Sequence, residues 1–122
     1  MADEPAPQSL TTGDRLRVLA AEGARILARL REGAPLVALC IEGRQLSSTE
    51  LAGTLEQWAL AGTNKVDFAI GGSLGLAQEV TSRAALRLSF SPMTFSHQIF
   101  RVMLLEQLYR AAKITAGEPY HK

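Results

Sequence analysis

Three short stretches contain residue types from which chemistry could be built. The first, Ile70-Gly71-Gly72-Ser73-Leu74-Gly75, follows a strand-like run and precedes a helical one, the place where open α/β sheets take ligands beyond their strand ends. It is neither a GxGxxG nor a Walker A loop, because no Lys-Ser/Thr pair follows the glycines. Glycine here either lets the backbone approach a ligand or makes a tight turn. The second is Phe90-Ser91-Pro92-Met93-Thr94-Phe95-Ser96-His97. Phe90, Met93 and Phe95 could stack on an aromatic ring while backbone amides and the Ser91 and Thr94 hydroxyls read its edge; equally, the apolar members could plug a core. His97 stands at a helix start, where a neutral imidazole could serve as base or donor, or bond only to backbone. The third is the tail Gly117-Glu118-Pro119-Tyr120-His121-Lys122, an aromatic, an imidazole and a cation in series, with a frayed end as the plain alternative. Arg101 and Arg110 precede it as phosphate contacts or solvated ion-pair partners, and Glu106 lies four residues before Arg110. Two histidines without a carboxylate cluster argue against a metal site, and no GxSxG nucleophile elbow occurs.

The elements that must position these residues are readable from periodicity. Leu16, Val18, Leu19, Ile26, Leu27 and Leu30 recur at helical spacing over Asp14 to Arg31, and Gly33-Ala34-Pro35 ends the pattern. Leu36-Val37-Ala38-Leu39-Cys40-Ile41 has strand length and is apolar throughout, which fits a strand of a parallel sheet buried on both faces. Ser47 and Glu50 offer a capping box for a helix over about 48–61. Val66 to Ile70 predicts a second strand, 76–83 a short helix, Leu86 to Phe90 a third strand, and His97 to Ile114 a long helix. The order α-β-α-β-α-β-α predicts a single α/β domain with a mostly parallel sheet. The last helix is apolar around most of its circumference, so it must be buried on more than one side, against a partner subunit or inside its own domain.

At 122 residues, with 47% apolar and 20% charged, the chain suits one soluble domain. Its net charge of +1 favours neither nucleic acid nor membrane, but the distribution is uneven: residues 83–122 hold six basic and two acidic side chains, and residues 1–82 hold seven and ten. The C-terminal third is therefore the likelier face for an anionic partner. The lone Cys40 rules out an internal disulfide and suits a small buried thiol. Short apolar runs and an acidic, Pro-containing start predict neither a spanning helix nor a signal peptide, hence a cytoplasmic setting with no membrane partner. Residues 1–12 are expected to be a disordered lead-in.

Ile70 to Leu76, Leu88 to Gln98, Arg101-Val102, Glu106 to Ala111 and Gly117 to Lys122, with Glu22 to Leu27 and Leu39 to Gly43 upstream, closely resemble the ribosomal RNA large subunit methyltransferase H family of the SPOUT superfamily. The resemblance covers about residues 14–122. It implies an α/β knot, S-adenosyl-L-methionine as cofactor, a homodimer with cofactor sites near the subunit interface, and methyl transfer to N3 of a pseudouridine in 23S ribosomal RNA of the assembled ribosome, without a metal. By motif, the implied cofactor positions are Leu39, Gly71, Phe90, Ser91, Pro92, Met93, Thr94 and Phe95. Around the base it places His97, Arg101, Arg110, Tyr120 and His121, with Tyr120 or His121 assisting proton removal or positioning the base. Family members begin with a further strand, helix and strand before the region matching Asp14, so the resemblance implies an N-terminally shortened sheet. They also carry Pro where this sequence has Ser96, which trades a rigid φ for a helix cap. The rival reading is a non-catalytic, dimeric, ribosome-associated remnant of the same fold.

Overall fold

The computed structural model describes residues 11–71 and 75–120. The expected disorder of the lead-in concerns residues of which 1–10 lie outside the described ones, but Thr11 and Thr12 are already structured. Helix α1 (Thr12–Arg29) begins where the Thr11 hydroxyl accepts the Asp14 N–H at 3.1 Å. It starts two residues before the apolar pattern does, because a threonine cap carries no hydrophobic signal. There follow β1 (Leu36–Gln45), α2 (Ser48–Leu60), β2 (Asp67–Ile70), α3 (Gln78–Arg83), β3 (Leu86–Ser89) and α4 (His97–Thr115). The capping box of α2 is present in full: Ser47 N–H donates to Glu50 Oε1 at 2.8 Å and Glu50 N–H to Ser47 Oγ at 3.1 Å.

The three strands form a parallel sheet in the order β2-β1-β3. Because successive side chains on a strand point to opposite faces, the apolar run of β1 serves two cores. Val37 and Leu39, with Leu86 and Leu88 of β3, pack beneath Leu51 of α2 and Leu104 of α4. Leu36 and Ala69 pack on the other face with Ile26 of α1 and Val80 of α3. The sheet is thus covered by α2 and α4 on one side and by α1 and α3 on the other, as its doubly buried central strand requires. Asp67 ties α1 to the start of β2: its carboxylate accepts the Arg31 backbone N–H at 2.9 Å and Nε at 2.7 Å. Burial raises its pKa, but the bonds to Arg31 outweigh that and hold it below the ordinary value.

Strand β1 departs from the sequence reading. It runs to Gln45 rather than Ile41, and both Leu39 and Arg44 pair with Leu88 of β3. Cys40 to Gly43 therefore leave the ladder as a bulge and rejoin it. Gly43 makes the return possible, since a Cβ there would lie 2.6 Å from the Arg87 carbonyl oxygen. Cys40 is in consequence half-buried, not a core thiol as expected.

Helix α4 buries Leu104 and Ala111 against its own domain. On its outer side Ile99, Val102, Leu105 and Tyr109 remain 51%, 66%, 62% and 52% exposed. Among the described residues no helix is long and apolar enough to cross a membrane.

Candidate functional site

The C-terminal ends of all three strands open into one cleft of about 950 Å³, near the top of the roughly 300–1,000 Å³ range of small-molecule sites. Leu39 ends the straight part of β1, and the bulge lays Cys40, Ile41 and Glu42 along the wall. Ile70 and Gly71 close β2. A Cβ on Gly71 would stand 2.6 Å from the Gly75 carbonyl oxygen, so Gly71 and Gly75 lie against each other with no room for a side chain. Gly72 and Ser73 of the glycine motif, with Leu74, lie outside the described residues.

The remaining wall comes from the segment after β3: Phe90, Ser91, Thr94, Phe95, Ser96, His97 and Phe100. The Phe95 and Phe100 rings meet edge to face at 5.6 Å, and Phe90 and Phe100 lie 6.1 Å apart. Ser91 shapes the loop by accepting the Met93 N–H on its hydroxyl at 3.0 Å. That tight turn leaves Pro92 and Met93, both implied cofactor positions, exposed and outside the lining of the cleft. Ser96 caps α4 through Ile99 N–H at 3.4 Å, the role that its substitution for proline allows. Burial first, then the Glu42 carboxylate, push the Cys40 thiol up, with Arg87 acting against them.

The expected residues around the base divide into two groups. His97 lines the cleft. Arg101 is exposed and does not reach its wall. Arg110 and Tyr120 lie near the far end of α4, and thirteen residues of helix separate His97 from Arg110 by about 20 Å. There Glu106 gathers them: its Oε2 accepts Arg110 Nη2 at 2.8 Å and the Tyr120 hydroxyl at 2.9 Å. The guanidinium also covers the Tyr120 ring at 4.8 Å, and Tyr109 meets that ring edge to face at 4.9 Å. Lys113 pairs with Glu118 at 2.5 Å. The hydrogen bond to Glu106 raises the Tyr120 phenol above its ordinary value, and the phenol donates to that carboxylate. His121 lies outside the described residues.

A family model described as "Predicted SPOUT methyltransferase" matches residues 4–121. The chain belongs to the SPOUT methyltransferase family. It is 53% identical over all 122 of its residues to a protein of Bifidobacterium animalis subsp. lactis named "Ribosomal RNA large subunit methyltransferase H", and covers 77% of that relative. A Bacillus pumilus protein of the same name is 50% identical over the same span and share. A Methanoregula boonei protein named "Putative ribosomal RNA large subunit methyltransferase H" is 56% identical over 101 residues, 83% of this chain and 64% of the relative.

A SPOUT methyltransferase implies S-adenosylmethionine, and the cleft has the character such a ligand needs. It joins an aromatic and aliphatic wall to serine and threonine hydroxyls, and the Gly71 backbone is free of any side chain. The sequence reading did not assign the bulge residues Cys40 to Glu42, nor Phe100, to this wall. Gly43 was their one available signal, since an isolated glycine in a strand often marks a bulge. The bond from Tyr120 to Glu106 spans fourteen positions and has no local signature.

Proposed function

We propose that this SPOUT methyltransferase methylates N3 of a pseudouridine in 23S ribosomal RNA of the assembled ribosome, in the cytoplasm, as a homodimer using S-adenosylmethionine. The observation that carries this reading is that Leu39, Gly71, Phe90, Ser91, Thr94 and Phe95, from three separate segments, converge on one cleft. The relatives' names point to the substrate class. The non-catalytic alternative leaves unexplained why these motif residues converge on one cleft. The knotted cradle that the resemblance implies would be built from the turn after β2 and the loop after β3.

S-adenosylmethionine, when bound, supplies an electrophilic methyl group. Leu39, Gly71 and the 90–95 loop would hold it, and the aromatic wall would exclude water from the reacting centre. The chain must then fix N3 at about 3 to 3.5 Å from that methyl group and take its proton. His97, whose imidazole lines the cleft, is the side chain placed to receive it. Arg110 and Tyr120 are too far along α4 to help within one chain. A second copy packed antiparallel on the exposed α4 stripe would bring its Tyr120 to this cleft. Tyr120 then orients the base and the arginines hold phosphate or developing negative charge.

Calorimetric titration of the purified chain with S-adenosylmethionine, followed by labelled methyl transfer to ribosomes lacking the modification, tests the reading. Micromolar binding and label in 23S RNA are expected. Binding without transfer would return the non-catalytic alternative, and a folded chain that binds no cofactor would overturn the site itself.

A further inference from the structure

The cleft has two unlike sides. Phe90 belongs to the core beneath α2 and α4, and with Phe95 and Phe100 it makes that side aromatic. On β3, Leu86 and Leu88 point the same way as Phe90's core, so Arg87 between them points to the α1/α3 side. Arg15, in the first turn of α1, reaches the same cleft, as does Thr81 of α3. Both arginines are exposed.

Elsewhere several cations are neutralised by carboxylates: Arg17 by Asp14, Arg31 by Asp67, Arg110 by Glu106 and Lys113 by Glu118. Among the described residues, the Arg15 and Arg87 side chains have no such partner. Glu42 is the one carboxylate on the described wall, so this side of the cleft keeps an excess of positive charge. Two guanidiniums from distant parts of the chain line this one opening, and an anion entering it is attracted by both. Guanidinium also matches the oxygen geometry of phosphate.

Building on the proposed RNA methylation, we propose that Arg15 and Arg87 form a phosphate-binding rim on the α1/α3 side of the cleft. This rim grips the RNA backbone beside the reacting nucleotide, while the aromatic side and Gly71 hold the cofactor. The small domain thereby carries part of its RNA recognition at the mouth of its own active cleft.

The test compares the parent chain with the Arg15→Gln/Arg87→Gln double variant and the Arg15→Lys/Arg87→Lys control. Ribosome binding is followed by sedimentation at several salt concentrations, and S-adenosylmethionine affinity by calorimetry. Both positions are exposed, so folding should change little. The glutamine variant is expected to bind ribosomes more weakly, with the slope of log affinity against log salt reduced by about 1.4, as for two lost phosphate contacts to single-stranded RNA. Its cofactor affinity should stay within twofold of the parent, and the lysine control should keep most of the slope. An unchanged slope overturns the proposal. A tenfold loss of cofactor affinity also overturns it and assigns the arginines to the cofactor's carboxylate. A parent that binds ribosomes but transfers no methyl group sinks the catalytic reading alone, and the slope still decides the arginines. A parent that binds no ribosomes overturns both.

Discussion

Glu106 organises the tail more than any residue the sequence singled out. One carboxylate accepts from Arg110 and from Tyr120, so a residue that reads as half of a surface i,i+4 pair also fixes where Tyr120 lies. Solvent-screened pairs of this kind add little to stability, so Glu106 matters for placement more than for stability. Glu106→Gln should release the tail at neutral pH, seen as faster carboxypeptidase removal of the last residues, with little change in thermal midpoint. In the parent, pH gives the complementary test. A phenol whose folded pKa is raised above its ordinary 10.0 contributes its stabilisation fully below that value and loses it as pH rises through the raised pKa. Docking should therefore persist to about pH 10 and fail above it. A tail equally sensitive to carboxypeptidase in parent and variant would refute the clamp.

At the scale of elements, the helices and the strand cores were legible in the sequence because each obeys one period. The capping box at Ser47 and Glu50, the doubly buried run at Leu36 to Leu39 and the Ser96 cap all act through neighbours a few residues away. The bulge at Cys40 to Gly43 was not legible, because it depends on β3 offering Leu88 to both Leu39 and Arg44, a pairing between distant segments. For the same reason the site was only partly readable: its motif residues stood out, whereas Arg15, Phe100 and the bulge join it only through the fold. Gly43→Ala tests the bulge. The added methyl group would meet the β3 backbone, which cannot yield as a flexible side chain can, so a loss of about 1–3 kcal/mol is expected in chemical denaturation. Cofactor affinity should fall with it, because the strand that must move also carries Cys40 and Glu42 along the wall. Unchanged stability would show that β1 and β3 can separate at no cost.

For the whole molecule, the exposed stripe of α4 and the distance from His97 to Tyr120 lead to the same expectation. A single chain leaves Ile99, Val102, Leu105 and Tyr109 in water, at odds with the usual burial of a helix this apolar, and leaves its two groups of candidate residues at opposite ends of one helix. The parent is expected to sediment as a dimer in analytical ultracentrifugation, and Leu105→Glu to give monomers. Cofactor binding should survive in those monomers, because every described wall residue comes from one chain, while methyl transfer should fall at least tenfold. A variant that stays dimeric would place the interface elsewhere.

The bulge in β1 has a practical consequence. It brings the only cysteine of the chain to the wall of the cleft, so a small trifluoromethyl tag on Cys40 would give a single fluorine resonance with no engineered background. Its chemical shift would report cleft occupancy directly, allowing cofactor and RNA arrival to be followed as separate spectroscopic events in the otherwise native protein.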